Sequence, residues 1–241
     1  MEFLTWLQEQ CYQTFIEDDR WRIYFLKGLG TTFKITIGAL ILGVIIGIII
    51  AVVRSAYDSQ RRHWHGVGGI LLGLGNLLCK LYLTVLRGTP VLVQIYIIYQ
   101  ALAVMGLNLS NLASGIIALS LNSGGFIAEI IRGGLTAVPK GQTEAARALG
   151  MSEPKILMRI VFPQVFKVAL PQLTSEFINV IKVSPMLSVL AIVELTRTAQ
   201  RLVTQTYINL PFYIAIAVMY FVICAGLEEL VKLQKKRLER R

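Results

Sequence analysis

Apolar residues in this chain run in long blocks with few charges, and five blocks are long enough to leave water. The first, from about Thr31 to Val53, contains ITIGALILGVIIGIIIAVV, and about 20 such residues cross the hydrocarbon of a bilayer as a helix. The second, Val67 to Met105, is too long for one simple span and carries LRGTP in its middle. Pro90 biases Thr89 away from the helical region, which predicts a kink or break there. The third, fourth and fifth blocks cover roughly Leu112 to Ile131, Val168 to Leu195 and Pro211 to Val231. Ahead of them, Phe3, Leu4, Leu7, Cys11 and Phe15 fall on one helical face, predicting an amphipathic helix on the membrane surface with Glu17, Asp18 and Asp19 outside. We therefore divide the chain into an amphipathic segment, 1–26, and a membrane domain, 27–241.

Composition fixes the class that these blocks imply. The chain is 55% hydrophobic and only 16% charged, with a mean hydropathy of +0.62, whereas about a quarter of the residues of a soluble domain are charged. The expected fold is an all-α polytopic membrane protein. Its net charge of +10 comes without an aromatic-interleaved basic patch, so nucleic-acid binding is not the reading. The cations gather at Arg54, Arg61 and Arg62, at Lys140, Arg147, Lys155, Arg159 and Lys167, and at Lys232, Lys235, Lys236, Arg237, Arg240 and Arg241. All three clusters flank apolar runs, as cytoplasmic flanks do. They share one side only if the second block crosses once, with a bent or interfacial first part. Five transmembrane helices follow, with the N-terminus outside and the C-terminus cytoplasmic.

Candidate chemistry is sparse. Cys11, Cys79 and Cys224 are odd in number and widely spaced, and read as free thiols. His63 and His65 form HWH beside a basic loop, but two ligands without a third do not make a metal site. No G-x-x-x-x-G-K-[ST] or H-E-x-x-H is present, so the chain has no means of its own to cradle ATP phosphates, no cofactor and no catalytic residues. Gly43, Gly47, Gly68, Gly69, Gly73 and Gly75 lie in or beside spans, where small residues let helices approach closely.

One polar interruption stands out, KGQTEAARALGMSEPKILMRIVFPQ, within the cytoplasmic loop 139–167. Pro139 opens a helix containing Glu144, Ala145, Ala146 and Arg147. Gly150 can take the left-handed conformation that ends it, and Ser152, Glu153 and Pro154 start a second. Two short helices joined at a glycine predict a compact knob with alanines that admit another surface.

EAARALG followed nine residues later by IVFP resembles the EAA signature of ABC importer permeases, with Phe162 at the usual leucine position. LYLTVLRGTPVLVQIYIIY, GGFIAEIIRGGLTAVPKGQ, LPQLTSEFINVIK and VELTRTAQ extend the resemblance to the polar amino-acid uptake branch, from about Leu26 to Arg240. After Lys182 this chain has Val183, Ser184, Pro185 and Met186 where that branch usually has an acid or amide first, and Pro185 is expected to bend or break the fourth span. The resemblance implies a type I importer permease in the bacterial cytoplasmic membrane, working by alternating access. Glu144, Ala145, Ala146 and Gly150 would couple it to two ATP-binding subunits that carry the ATP and Mg. Its other implied partners are a second permease chain, identical or related, and an extracytoplasmic binding protein that delivers a polar amino acid.

Polar residues inside spans are costly unless they meet a partner or a wet cavity. Gln172, Glu176, Asn179 and Val183 share one stripe of the fourth span, and Asn122 and Glu129 share a face of the third. Asn122, Glu129, Gln172, Glu176 and Asn179 are thus candidates for a substrate pathway, while Lys182 lies off the stripe. For Glu129 a local pair with Arg132 is the competing reading, and for Glu176 a helix–helix hydrogen bond. Arg87 is expected to snorkel or to meet backbone near the break. The rival function is a stand-alone channel or membrane-embedded enzyme using these intramembrane carboxylates.

Overall fold

Helices account for every regular element among the described residues of the computed structural model, which are 2–12, 20–60 and 67–239. In chain order they are α1 (Glu2–Tyr12), α2 (Arg20–Gln60), α3 (Val67–Gly88), α4 (Val91–Val104), α5 (Asn111–Ala137), α6 (Lys140–Ala148), α7 (Glu153–Ile156), α8 (Phe162–Val183), α9 (Leu195–Thr206) and α10 (Leu210–Glu239). Among the described residues, five helical stretches are long and apolar enough to cross a membrane: Trp21–Asp58, Val67–Gly88, Asn111–Ala137, Glu153–Leu190 and Leu210–Lys236. Helix α1 lies where the amphipathic segment is expected, and α2 begins at Arg20, running through the expected boundary at residue 26 without interruption. Residues Phe15, Glu17, Asp18, Asp19, Arg61, Arg62, His63, His65, Arg240 and Arg241, and the side chains of Phe3, Leu4, Leu7 and Arg237, lie outside what is described.

Small residues set the direction of the spans. A Cβ on Gly38, Gly43 or Gly47 would touch Ile116, Ser123 or Ile127 and Ala128 respectively, so α2 and α5 ascend side by side in the same direction. Between two parallel spans the chain must cross back once, and α3 with α4 makes that return. Val53 faces Gly75, Ile50 clusters with Leu83, and Ile35 and Ala39 share a core with Ile95. The single crossing expected for the second block is therefore what the packing shows. Its first piece, α3, is nevertheless an unbroken 22-residue helix long enough to span, and the short piece is the second, the 14-residue α4. Near its start α3 meets the end of α2, with Gly73 near Tyr57 and Gly75 near Val53, where the apolar run of α2 has ended.

Helix α8 then runs back against α5, with Gly134 against Val165 and Gly115 against Leu187 and Ile192. Helix α10 returns against α8, with Thr174 bonded to Gln234 at 3.2 Å and Lys182 to Glu228 at 3.4 Å. The two ends of the membrane domain thus emerge on opposite faces, and the Lys140–Lys167 loop lies on the same face as the ends of α2 and α10.

The second half of the 139–167 loop differs from expectation. The helix that starts after Gly150 is not a second short one. Helix α7 passes through a π-helical turn, Leu157–Val161, directly into α8. Pro163 has no N–H to give the carbonyl of Arg159, and widening to i→i+5 bonds over this turn lets the helix continue across the proline. Pro185 acts as predicted: α8 ends at Val183 and a 3₁₀ segment, Ser184–Leu190, follows. It closes at Ala191 with φ 58°. The fourth apolar block therefore stops short of Leu195, and α9 was not foreseen.

Candidate functional site

Helix α6 is the short helix of the basic loop that does not run on into a span, and its ends explain its pose. Beyond its C-terminus Gly150 has φ +76°, the Gly150 N–H donates to the Arg147 carbonyl at 2.9 Å, and the Met151 N–H to Ala146 at 3.1 Å. These crossed bonds cap the final carbonyls around a left-handed glycine. Arg147 reaches over the turn to Glu153, Nε to Oε1 at 2.5 Å and Nη2 to Oε2 at 3.3 Å. Gln164 on α8 donates to Gln142 at 2.6 Å. The helix is therefore pinned at both ends to the base of the fourth span.

The four residues expected to meet a partner divide by burial. Glu144 and Ala145 are exposed, and Glu144 makes no ion pair or hydrogen bond among the described residues. Ala146 is instead 3% exposed, so it seats α6 on its own protein and positions the helix. Gly150 shapes the turn. Leu149 is 83% exposed at the tip, an apolar side chain offered to solvent beside Glu144 and Ala145. Sequence reading missed it because a leucine one residue before a capping glycine looks like ordinary helix.

The polar residues within the spans are dispersed. Pro90 leaves the Leu86 carbonyl without its helical donor, and the Gln94 Nε2 supplies one at 2.8 Å, also reaching the Thr89 carbonyl at 2.9 Å and its Oγ1 at 2.8 Å. Asn122 completes this arrangement by donating to the Gln94 Oε1 at 2.8 Å. It is buried and braces the α3–α4 break. Glu129, on the same face of α5, is held at the other end by Arg54 at 2.5 Å and Arg132 at 3.2 Å. The local pair with Arg132 exists, and Arg54, which sequence reading had placed only in a flanking charge cluster, is the nearer partner.

On α8 the structure brings Glu176 and Asn179 together, Nδ2 to Oε2 at 3.3 Å. Glu176 is buried, its Oε1 has no hydrogen-bond partner, and Gln172 and Asn179 are exposed on either side. Glu194 was also missed. Fully buried before α9, it accepts from the N–H groups of Thr196 at 2.8 Å and Arg197 at 2.6 Å and from the Tyr220 hydroxyl at 3.0 Å. The Glu194 carboxylate caps the helix, a role that serine, asparagine or aspartate fills more often.

The family model for the binding-protein-dependent transport system inner membrane component matches residues 67–240. The chain belongs to this family. Among its relatives is the L-cystine transport system permease protein TcyB of Bacillus subtilis strain 168, 34% identical over 88% of this chain and 86% of that protein. Another is the arginine transport system permease protein ArtQ of the same organism, 30% identical over 90% of this chain and 93% of that one. A crystal structure of an amino acid ABC transporter with histidines contains a chain that superimposes with a TM-score of 0.77 at 36% identity, covering 90% of this chain and 95% of the other. The fold of this chain, all-helical with five apolar helices of spanning length among the described residues, is the one expected from the hydropathy blocks.

Proposed function

We propose that this chain is the membrane-spanning permease of an ATP-driven importer for a polar amino acid, coupled through α6 to ATP-binding subunits that hold ATP and Mg. The observation that carries this reading is the pinned α6, which presents Glu144, Ala145 and Leu149 outward from a helix tied at both ends to α8. A push on α6 is transmitted to the fourth span because α7, the π turn and α8 are continuous. Relatives named for cystine and for arginine support an amino acid as cargo. Two ATP-binding subunits, a second permease chain and an extracytoplasmic binding protein complete the assembly in a bacterial cytoplasmic membrane. Glu176 and Asn179 offer acceptors to the ammonium that all amino acids share, with Gln172 beside them on the pathway.

The stand-alone channel or enzyme is the weaker reading because Glu129 is already neutralised by two arginines. Uptake in proteoliposomes containing the co-expressed ATP-binding subunit and binding protein decides between them. We expect accumulation of a labelled amino acid only with ATP and both partners. Glu176→Gln should slow it about tenfold, the equivalent of one hydrogen bond to a charge. Uptake that persists without the ATP-binding subunit would refute the proposal.

Orientation follows from the charges: Arg54, the α6 loop and Lys232 to Lys236 share one face, which the positive-inside rule assigns to the cytoplasm. In a background lacking the native cysteines, Gln8→Cys should label from outside intact cells and Lys236→Cys only after permeabilisation. Labelling of both from the same side would contradict five crossings.

A further inference from the structure

Arg54, Lys80, Arg87 and Arg132 converge with Thr84, Leu83 and Glu129 on an open recess of about 400 Å³ between α2, α3 and α5. Four cations face one carboxylate there. Glu129 is shared between Arg54 and Arg132, while Lys80 and Arg87 have no ion-pair partner among the described residues. The Nε of Arg54 is buried and makes no hydrogen bond. The recess thus has unused donors and a large excess of positive charge.

Its depth is set by where the apolar runs end. Arg54 directly follows Val53 and Arg132 directly follows Ile131, the last residues of two apolar blocks. The level is the same on all three helices, because Ile50, Leu83 and Ala128 form one cluster with Cys79 and Tyr82 packed against it. Lys80 adjoins that cluster, and Arg87 lies two turns further along α3 with a side chain long enough to reach back. Arg54, Lys80 and Arg132 therefore stand at the membrane boundary on the α6 side, and Arg87 reaches the recess from its hydrocarbon side. Beside Lys80 and Thr84, α3 also exposes Leu77 at 61%, Leu81 at 59% and Val85 at 49%, an apolar wall leading from the recess into the hydrocarbon.

We propose that this recess binds the phosphate headgroup of an anionic membrane lipid, with its acyl chains along Leu77, Leu81 and Val85. A basic pocket between spanning helices at the membrane face suits a phosphodiester, and phosphate takes charge-assisted bonds from arginine. Free phosphate shares the headgroup chemistry but has no use for the apolar wall. The proposal does not depend on what the protein transports.

The test is native mass spectrometry of the full-length chain released from nanodiscs of phosphatidylcholine containing a minor fraction of phosphatidylglycerol. Wild-type protein should retain phosphatidylglycerol in preference to the bulk lipid. Lys80→Gln with Arg87→Gln, which leaves the Glu129 bridges intact, should lower retention about fivefold for each cation removed, the equivalent of about 1 kcal/mol per basic side chain. Lys232→Gln with Lys235→Gln removes the same charge on the same face outside the recess and should leave retention near wild type. Excess inorganic phosphate should not displace the lipid. No preference in the wild type, equal losses in both double variants, or displacement by phosphate or by the transported amino acid would each overturn the proposal.

Discussion

Gly47→Leu is expected to prevent the chain from reaching its folded state, while Gly30→Leu in the same helix leaves it folded. A Cβ at Gly47 would stand 2.9 Å from the Ile127 Cβ and 3.0 Å from the Ala128 backbone nitrogen. Neither can retreat without moving α5. The facing Gly124 is as constrained, its Cβ position 3.0 Å from the Ile46 Cβ and 3.4 Å from the Gly43 carbonyl oxygen. Lipid is as apolar as leucine, so no hydrophobic force compensates for lost contact between helices, and close packing supplies the attraction. Overpacking a tight contact costs about 1–3 kcal/mol or more, a large part of a marginal stability. At Gly30 nothing lies within 4 Å, so the same substitution meets open space. Monodisperse yield on size exclusion, with a thermal melt of each variant, reads the difference. Equal yields would show that the α2–α5 contact is not what holds the bundle.

Glu144→Lys and Gly150→Val are expected to leave the permease inserted and monodisperse while abolishing its coupling to ATP. Glu144 is exposed on α6, and reversing its charge puts repulsion where a partner surface would accommodate a carboxylate. At Gly150 nothing lies within 4 Å of the Cβ position, so the cost is conformational: φ is +76°, and a β-branched residue forced there is strained by about 1–3 kcal/mol. Relief of that strain would undo the crossed cap and re-aim α6. Gly106 provides the control, since it too has φ +76° with no neighbour within 4 Å but lies between α4 and α5, on the opposite face. Gly106→Val should cost similar stability and leave coupling intact. Pull-down of the ATP-binding subunit alongside uptake in proteoliposomes distinguishes the cases. A tenfold or greater loss of uptake, about 1.4 kcal/mol, is expected for Glu144→Lys and Gly150→Val only. Normal uptake and pull-down for both would remove α6 from the coupling path, and equal losses in Gly106→Val would reduce the effect to general destabilisation.

The class of protein, the five crossings, the break at Pro90, the stop at Pro185 and the turn at Gly150 were all legible in the order of residues alone. Each depends on properties confined to one short stretch: a length of apolar residues against the bilayer thickness, a missing N–H, or a residue free to take positive φ. Which polar groups meet became visible only in the packed helices. Glu129 pairs with Arg54 across 75 positions, and Asn122 with Gln94 across 28, so Asn122 and Glu129 share a helix face yet serve separate arrangements. Periodicity could not have separated them. In water an apolar stripe marks the buried side of a helix, but a spanning helix is apolar on its lipid side and on its protein side alike. The rotation of each helix, and hence the partner of each polar residue, is set by close contacts such as Gly47 against Ile127, which arise only once the helices are packed.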